Sequence, residues 1–393
     1  MGGCGPEFQR VAATLGGGLD CAGAAPVVSV RSPLGLDNWT QPVLELVMIL
    51  GALAALGHAI RWWRRSGDPT GVGLWAATIV QVLILEPPLY FPDRFGLQDR
   101  VGLIFVHNQF SVQFLYDRLP LYIVALYPAL TYLAYALVRR TGVLDRENAV
   151  VGAACVAFVF HCLYEIFDGL GPQLHWWAWN PVAPTNSPWL ASVPLTSAVM
   201  FAGASPFGLA LGTRLLLARR AATGPIPAGS LVLRVIAVAL SAILAMLVFA
   251  IPYGLLGEPG QHLTARSVVL WAELAGLAGV SLWALGRAWR RSATGSEVGG
   301  AGSEVGGAGA TVVHLRKITA ESGSADRYPV VAATAYLVIF AGLWATALPA
   351  YLAAEAGRTS SGAPTGNLGY VVLCAVFGTG VIVLAGRHSD GPL

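Results

Sequence analysis

The chain has 393 residues, of which 55% are hydrophobic and only 11% are charged, with a formal net charge of +3. A soluble globular domain carries about 25% charged residues, so this composition excludes an ordinary soluble protein. The apolar residues gather in runs of about 20, the length that crosses the hydrocarbon core of a bilayer. The sequence therefore predicts an all-α, multi-pass membrane protein. It contains neither a basic nucleic-acid-binding surface nor a phosphate-binding glycine loop.

The apolar runs predict nine membrane-spanning helices. They cover approximately residues 41–61, 72–91, 119–138, 149–167, 191–217, 230–255, 266–287, 328–353 and 367–386. Most of the 24 basic residues follow the odd-numbered spans, and the positive-inside rule makes that side cytoplasmic. The N-terminus is then outside and the C-terminus inside. Only Lys317 is a lysine, which together with the many Ala and Gly suggests a GC-rich genome and a bacterial plasma membrane.

The segment 101–118, "VGLIFVHNQFSVQFLYDR", is apolar enough to be mistaken for a further span. If it crossed the membrane, every later basic loop would move to the outside. We therefore expect an interfacial or re-entrant helix on the outer side. Such a helix would carry His107, Ser111, Phe114 and Arg118 on one stripe, because these residues follow one another at helical spacing.

Four parts follow from these patterns. Residues 1–40 form an extracytoplasmic tail, in which Cys4 and Cys21 could pair. Residues 41–291 form a seven-span core with a polar pocket near the outer leaflet. Residues 292–327 contain "GSEVGGA" twice in tandem and are typical of a flexible cytoplasmic linker. Residues 328–393 form a two-span C-terminal appendage.

In the predicted topology the acidic residues of the spans converge at one depth near the outer face. Ionisable groups inside a membrane are costly and commonly mark functional sites. Glu86 lies near the end of the second span, directly before two prolines. His161, Glu165 and Asp168 follow one another at i, i+4 and i+7, which places them on one stripe of the fourth span.

This arrangement suits a site at which one carboxyl group gives a proton and another group takes one. We hypothesise that Glu165 is the acid, that Glu86 and Asp168 are its partners, and that His107 or His161 is a base or an orienting group. The alternative is structural, because the same groups can satisfy one another and the nearby Arg118.

The outer connections and the seventh span supply candidates for substrate binding. They are Asn108, Asp117, Arg118, His175, Trp176, Trp177 and Glu273. The tryptophans would form either an interfacial belt or the wall of a pocket in which their faces stabilise a cation. His161 and Glu165, with His107 and His175, could supply metal ligands. Since no HExxH motif or repeated His box is present, the sequence predicts neither a metal site nor a cofactor.

The chain resembles the avermectin-spirocyclase-like integral membrane proteins and, more distantly, the carotenoid hydratases and the small membrane terpene cyclases. Glu86-Pro87 is similar to the acid–Pro pair that ends an early outward span in that group, and "FVHN" at 105–108 to its aromatic–Asn step. In that group a later span ends in a carboxylate that is followed by a glycine and an aromatic cluster. Here Glu165, Gly169 or Gly171, and Trp176-Trp177 are similar to this element. The likeness covers about residues 40–220. It departs from the pattern at His161, where an acid is expected, and at Glu86, which replaces an Asp.

The resemblance implies acid–base chemistry on a lipophilic substrate: spiroketal closure, dehydration, or addition across an alkene. We therefore expect a membrane enzyme for cyclisation, dehydration or hydration of an isoprenoid- or polyketide-like molecule, with a membrane lipid or lipophilic small molecule as its partner. The alternative is a transporter or a lipid-binding or assembly protein that uses the same carboxylates for protons or cations. The absence of two repeated halves, and of polar residues toward the cytoplasmic side other than His58, favours a one-sided pocket over a pathway.

Overall fold

The structure is a computed structural model that describes residues 5–16, 19, 23–293 and 326–387. Cys4 and Cys21, whose pairing the sequence allows, lie outside the described residues. The same holds for nearly all of the expected linker.

Within the described residues, nine helices are long and apolar enough to cross a membrane. They are α1 (Thr40–Ser66), α2 (Thr70–Tyr90), α3 (Leu121–Arg140), α4 (Ala149–Asp168), α5 (Leu195–Ala221), α6 (Ala228–Gly254), α7 (Leu263–Ala293), α8 (Tyr328–Leu352) and α9 (Leu368–Arg387). Each overlaps one predicted span. The protein is therefore an all-α multi-pass membrane protein, as its composition predicts.

Basic residues mark one end of the bundle. The odd-numbered helices all end with arginines in their last turn, whereas the described last turns of α2, α4, α6 and α8 carry none. We call the end with these arginines the basic end and the opposite one the loop end. The positive-inside rule predicts that the basic end faces the cytoplasm.

The centre of the bundle is formed by α3 and α4, of which 89% of the spanning window is buried, against 22% for α6. Around this pair pack α1, α2, α5, α7 and α9, while α8 contacts α9 and α3. The two helices expected to form an appendage thus lie directly against the central pair. The division of the chain into a seven-span core and a two-span appendage stays a prediction.

The prediction of a helix in residues 101–118 is wrong. As predicted, the segment is not one of the membrane-spanning helices of the described chain. It forms the strands β2 (Phe105–His107) and β3 (Val112–Phe114). These pair with distant segments: β3 with β1 (Val28–Val30), and β2 with β5 (Trp177–Trp179). The φ angles of residues 115–117 are positive, which also breaks a helix. The expected stripe through His107, Ser111, Phe114 and Arg118 therefore does not exist.

Three further short strands lie in the described part of the loop end. They are β4 (Leu119–Pro120), which pairs with β3, and β6 (Trp189–Leu190), which pairs with β7 (Val193–Pro194).

The antiparallel pair of β2 and β5, which we call the ribbon, closes the loop end. Its register places Phe105 opposite Trp179 and His107 opposite Trp177. Alternate residues of a strand point to opposite faces. These four side chains face the helices, whereas Val106 and its neighbours on the other face pack against the short helix Pro6–Ala12 through Phe8 and Val11. The ribbon is therefore a wall with one aromatic face toward the bundle.

The orientation can be tested by labelling single cysteines with a membrane-impermeant maleimide. In a chain with Cys4 and Cys21 replaced by serine, we expect Val182→Cys at the loop end to react in intact cells. Ser66→Cys at the basic end should react only after permeabilisation. Both positions are exposed, and the other three cysteines are buried. The reverse pattern would show that the basic end faces outward.

Candidate active site

A cavity lies between the helices and the ribbon, with three ionisable side chains in its wall. We call it the carboxyl cavity. It has a volume of about 30 Å³, close to the share of one water molecule in the liquid. It is lined by Glu86, Phe105, His107, Ile123, Tyr127, Tyr164, Phe167, Asp168, Trp177, Trp179 and Phe201. Phe201 lies in a π-helical turn of α5, Met200–Ala204, and such turns frequently occur at functional sites.

Glu86 enters the cavity from the last turn of α2 and is only 2% exposed. The hydroxyl groups of Tyr90 and Tyr127 are the polar groups beside its carboxyl. The end of α2 is held from the loop side by Arg118, which donates a hydrogen bond to the Tyr90 carbonyl. The Arg118 guanidinium also lies 4.5 Å from the ring centroid of Phe91. Arg118 therefore positions the helix end that carries Glu86 and does not line the cavity.

Asp168, the last residue of α4, faces Glu86 across the same cavity. The Ser197 hydroxyl of α5 donates a hydrogen bond to Asp168 Oδ2 at 3.3 Å. Asp168 is thus the member of the predicted stripe that reaches the carboxyl cavity.

The other two members of the stripe point elsewhere. His161 Nε2 lies 2.7 Å from the Tyr370 hydroxyl of α9, and His161 Nδ1 lies 4.0 Å from Glu165 Oε1. Glu165 is buried between the helices and is not among the residues that line the cavity. The i, i+4, i+7 spacing therefore gives one face of α4, as predicted, but this face is divided between two environments.

His107 is brought to the cavity by the ribbon. It is 5% exposed, and its Nδ1 lies 3.0 Å from the Tyr122 hydroxyl. Burial lowers the pKa of His107 from 6.5 to about 3, because desolvation disfavours the charged imidazolium. At neutral pH the ring is uncharged, so one ring nitrogen donates a hydrogen bond and the other accepts one.

Several polar atoms at the cavity lack a hydrogen-bond partner within the described part of the chain. They are His107 Nε2, Trp177 Nε1 and Trp179 Nε1. A buried polar group without a partner costs about 1–3 kcal/mol, and a native structure contains few of them. At this cavity a bound molecule or water can supply the missing hydrogen bonds.

The tryptophans after α4 lie in two different surroundings. Trp177 and Trp179 line the cavity, with the rings of Trp177 and Phe167 4.9 Å apart. Trp176 is fully buried and donates a hydrogen bond to Thr40 Oγ1 at 2.8 Å. Neither an interfacial belt nor a substrate contact therefore describes Trp176, which packs α4 against α1.

The remaining candidates for substrate binding lie outside the cavity. Asn108 donates to the His175 carbonyl, His175 Nδ1 lies 3.1 Å from the Leu15 carbonyl, and Asp117 pairs with Arg31. Glu273 is half-buried on α7. Asn108, His175 and Asp117 hold the connections of the loop end together.

Sequence reasoning missed Ile123, Tyr127, Tyr164, Phe167 and Phe201, which all line the cavity. Tyr164 precedes Asp168 by four residues on the same helix, so the helical period could have found it. Tyr127 carries no such signal, because the carboxyl it faces is on another helix.

Among the described residues, no group of three or more His, Cys, Asp or Glu side chains is placed to hold a metal ion. His107 lies in the ribbon and His161 contacts α9. These two possible ligands thus lie in different environments.

The chain belongs to a family described as a domain of unknown function, DUF7802, whose model matches residues 37–274. No curated protein and no solved structure matches the chain. The matched region contains every residue that lines the carboxyl cavity, whereas α8 and α9 lie beyond it.

The burial of neutral His107 makes stability depend on pH. Between its folded pKa of about 3 and its ordinary 6.5, the unfolded chain binds one more proton than the folded protein at this position. The free energy of unfolding should therefore fall as the pH drops below 6.5, by up to about 1.4 kcal/mol per pH unit from this group. The measurement is the free energy of unfolding of the wild type and of His107→Gln at several pH values below 6.5.

The variant should show a shallower loss of stability toward acid pH than the wild type. His262→Gln, which changes an exposed histidine of the loop end, is the matched control and should keep the wild-type slope. Equal slopes for wild type and His107→Gln would contradict a neutral, buried His107.

Gly171 makes room for the indole of Trp177. A Cβ atom at this position would lie 1.9 Å from the Trp177 ring, so Gly171→Ala must displace the ring. We expect a destabilisation of about 1–3 kcal/mol, measured as a lower unfolding temperature. Gly276→Ala, where an added Cβ meets open space, should change little. Combining Gly171→Ala with Trp177→Ala should remove most of the clash, and additive effects would refute this contact.

Proposed function

We propose that the protein is an enzyme of the bacterial plasma membrane that performs acid–base chemistry on a lipophilic substrate in the carboxyl cavity. The observation that carries this proposal is that Glu86 and Asp168, from two different helices, face one small aromatic-walled space together with His107. Two carboxyl groups and a neutral imidazole at one point provide both a proton donor and a proton acceptor.

In this proposal a carboxylic acid of the Glu86–Asp168 pair protonates an alkene or a hydroxyl group of the substrate. Protonation of a hydroxyl releases water, and protonation of an alkene gives a carbocation directly. The other carboxylate or His107 then removes a proton from a neighbouring carbon, or activates water for addition. In cyclisation an alkene or hydroxyl group of the same molecule attacks the cation before the proton is removed, dehydration releases one water molecule, and hydration consumes one. In each case the proton removed at the end replaces the proton that the acid gave.

The aromatic wall supports the cationic step. The π faces of Trp and Phe rings attract a cation within about 6 Å, and Phe167, Trp177 and Trp179 surround the cavity. The cavity of about 30 Å³ takes only the reacting group, because pockets for drug-sized ligands measure about 300–1,000 Å³. Binding of an isoprenoid- or polyketide-like molecule therefore requires side chains of this wall to move.

The resemblance to spirocyclase-like membrane proteins agrees with this chemistry and is part of the proposal. The lining of the cavity changes which residues we assign to the acid–base chemistry. Asp168 takes the place of Glu165 as the partner of Glu86, because Glu165 does not line the cavity.

The test is lipid-extract metabolomics of cells that carry wild type, a deletion, Glu86→Gln or Asp168→Asn, with accumulation of each protein verified. We expect the deletion and both variants to build up the same lipophilic precursor and to lower product formation by at least about 100-fold, the usual scale of acid–base catalysis. Glu273→Gln, a carboxyl change outside the cavity, is the control and should resemble wild type. No change in any lipophilic metabolite would refute the enzyme.

A second candidate is proton or cation transport, and one observation favours it. The expectation that His58 is the only polar residue toward the basic end is wrong for uncharged side chains. Gln81 Nε2 donates to Ser205 Oγ at 3.0 Å below the cavity, and Thr78, Thr131 and Thr213 are fully buried. Proton flux into proteoliposomes that is lost in Glu86→Gln would support transport instead.

A further inference from the structure

A second cavity lies on another side of α4, where α7 and α9 meet it. We call it the lateral cavity. Its volume is about 180 Å³, six times that of the carboxyl cavity. It is lined by Phe158, His161, Cys162, Trp271, Leu274, Ala275, Ala278, Tyr370, Leu373, Cys374 and Phe377. Most of these side chains are apolar, and this cavity shares no residue with the first.

The lateral cavity communicates with the hydrocarbon side of the bundle. Trp271 is 38% exposed and Leu373 48% exposed on the outer surfaces of α7 and α9, and Ala275 is exposed beside them. An apolar cavity of about 150 Å³ inside a protein stays dry and binds a benzene-sized molecule. The lateral cavity is therefore large enough for an apolar group that enters sideways from the membrane.

One polar pair stands in this wall. Tyr370 Oη lies 2.7 Å from His161 Nε2. His161 Nδ1 faces Glu165 Oε1 at 4.0 Å, a carboxyl oxygen toward which an N–H group is favourably directed. A neutral imidazole donates from one nitrogen and accepts at the other. We assign the hydrogen to Nδ1, so that Nε2 accepts the Tyr370 hydroxyl.

This assignment fixes what the pair can offer a ligand. The single hydrogen of the Tyr370 hydroxyl is used by His161, while the lone pairs of its oxygen remain as acceptors. A molecule in the lateral cavity can therefore gain a hydrogen bond by donating an O–H group to Tyr370.

We propose that the lateral cavity binds a long-chain lipid alcohol, whose hydrocarbon chain enters between α7 and α9 and whose hydroxyl group donates a hydrogen bond to Tyr370. Three features support this occupant: the apolar wall, the opening toward the hydrocarbon side, and one acceptor at the inner pair. This inference does not rest on the enzymatic function, because it concerns other residues and is tested by binding alone.

The experiment uses the purified full chain in phosphatidylcholine nanodiscs and a diazirine-bearing analogue of 1-hexadecanol. After photolysis, mass spectrometry should map the label to peptides of α4, α7 and α9. Unlabelled 1-hexadecanol should compete about five-fold better than its methyl ether, which lacks the donor, as expected for one net hydrogen bond. In Tyr370→Phe the alcohol and the ether should compete equally.

Filling the cavity tests its location. Ala278→Trp should abolish the labelling, and Ala275→Trp serves if the first variant does not accumulate, since both alanines line the cavity. The control Ala272→Trp adds the same ring on α7 at a residue outside the lining and should label as wild type. Uniform labelling of all lipid-facing helices, or equal competition by alcohol and ether in the wild type, would overturn the proposal.

Discussion

The pairing of β2 with β5 is the interaction on which the carboxyl cavity depends. It joins segments about 70 residues apart and places His107 and Trp177 side by side above the ends of α2 and α4. A slip of one residue in either strand would turn the aromatic side chains of that strand outward and bring Val106 or Ala178 over the carboxyl groups. The short helix Pro6–Ala12 covers the outer face of the ribbon, which favours the register that is observed.

The second constraint is the position of α4 at the centre of the bundle. Since 89% of the spanning window of this helix is buried, each buried polar group that it carries must be satisfied by a neighbouring helix or by a ligand. On its face with His161, Glu165 and Asp168, the first and the last side chain find partners in two different directions. Asp168 contacts Ser197 of α5, and His161 contacts Tyr370 of α9. One helix thereby forms part of the wall of two separate cavities.

The two cavities differ in their position relative to the residues that match the family. The carboxyl cavity lies wholly within the matched residues, whereas the lateral cavity requires Tyr370 and its neighbours on α9, beyond the match. All the residues that line the carboxyl cavity therefore lie in the part of the chain that defines its family membership. The lateral cavity, by contrast, depends on how the last two helices of this chain pack against α4.

The sequence by itself determined the nine helices and the clustering of basic residues at one end, because hydropathy and loop charge are local properties that a bilayer reads directly. It also determined that His161, Glu165 and Asp168 share one helical face, since that follows from the helical period. It did not reveal the ribbon, because strand pairing joins segments whose partners are distant in the chain. Only the tertiary structure decided that Asp168, and not Glu165, lines the same cavity as Glu86. The rotation of a buried helix is set by packing against its neighbours, which no local pattern specifies.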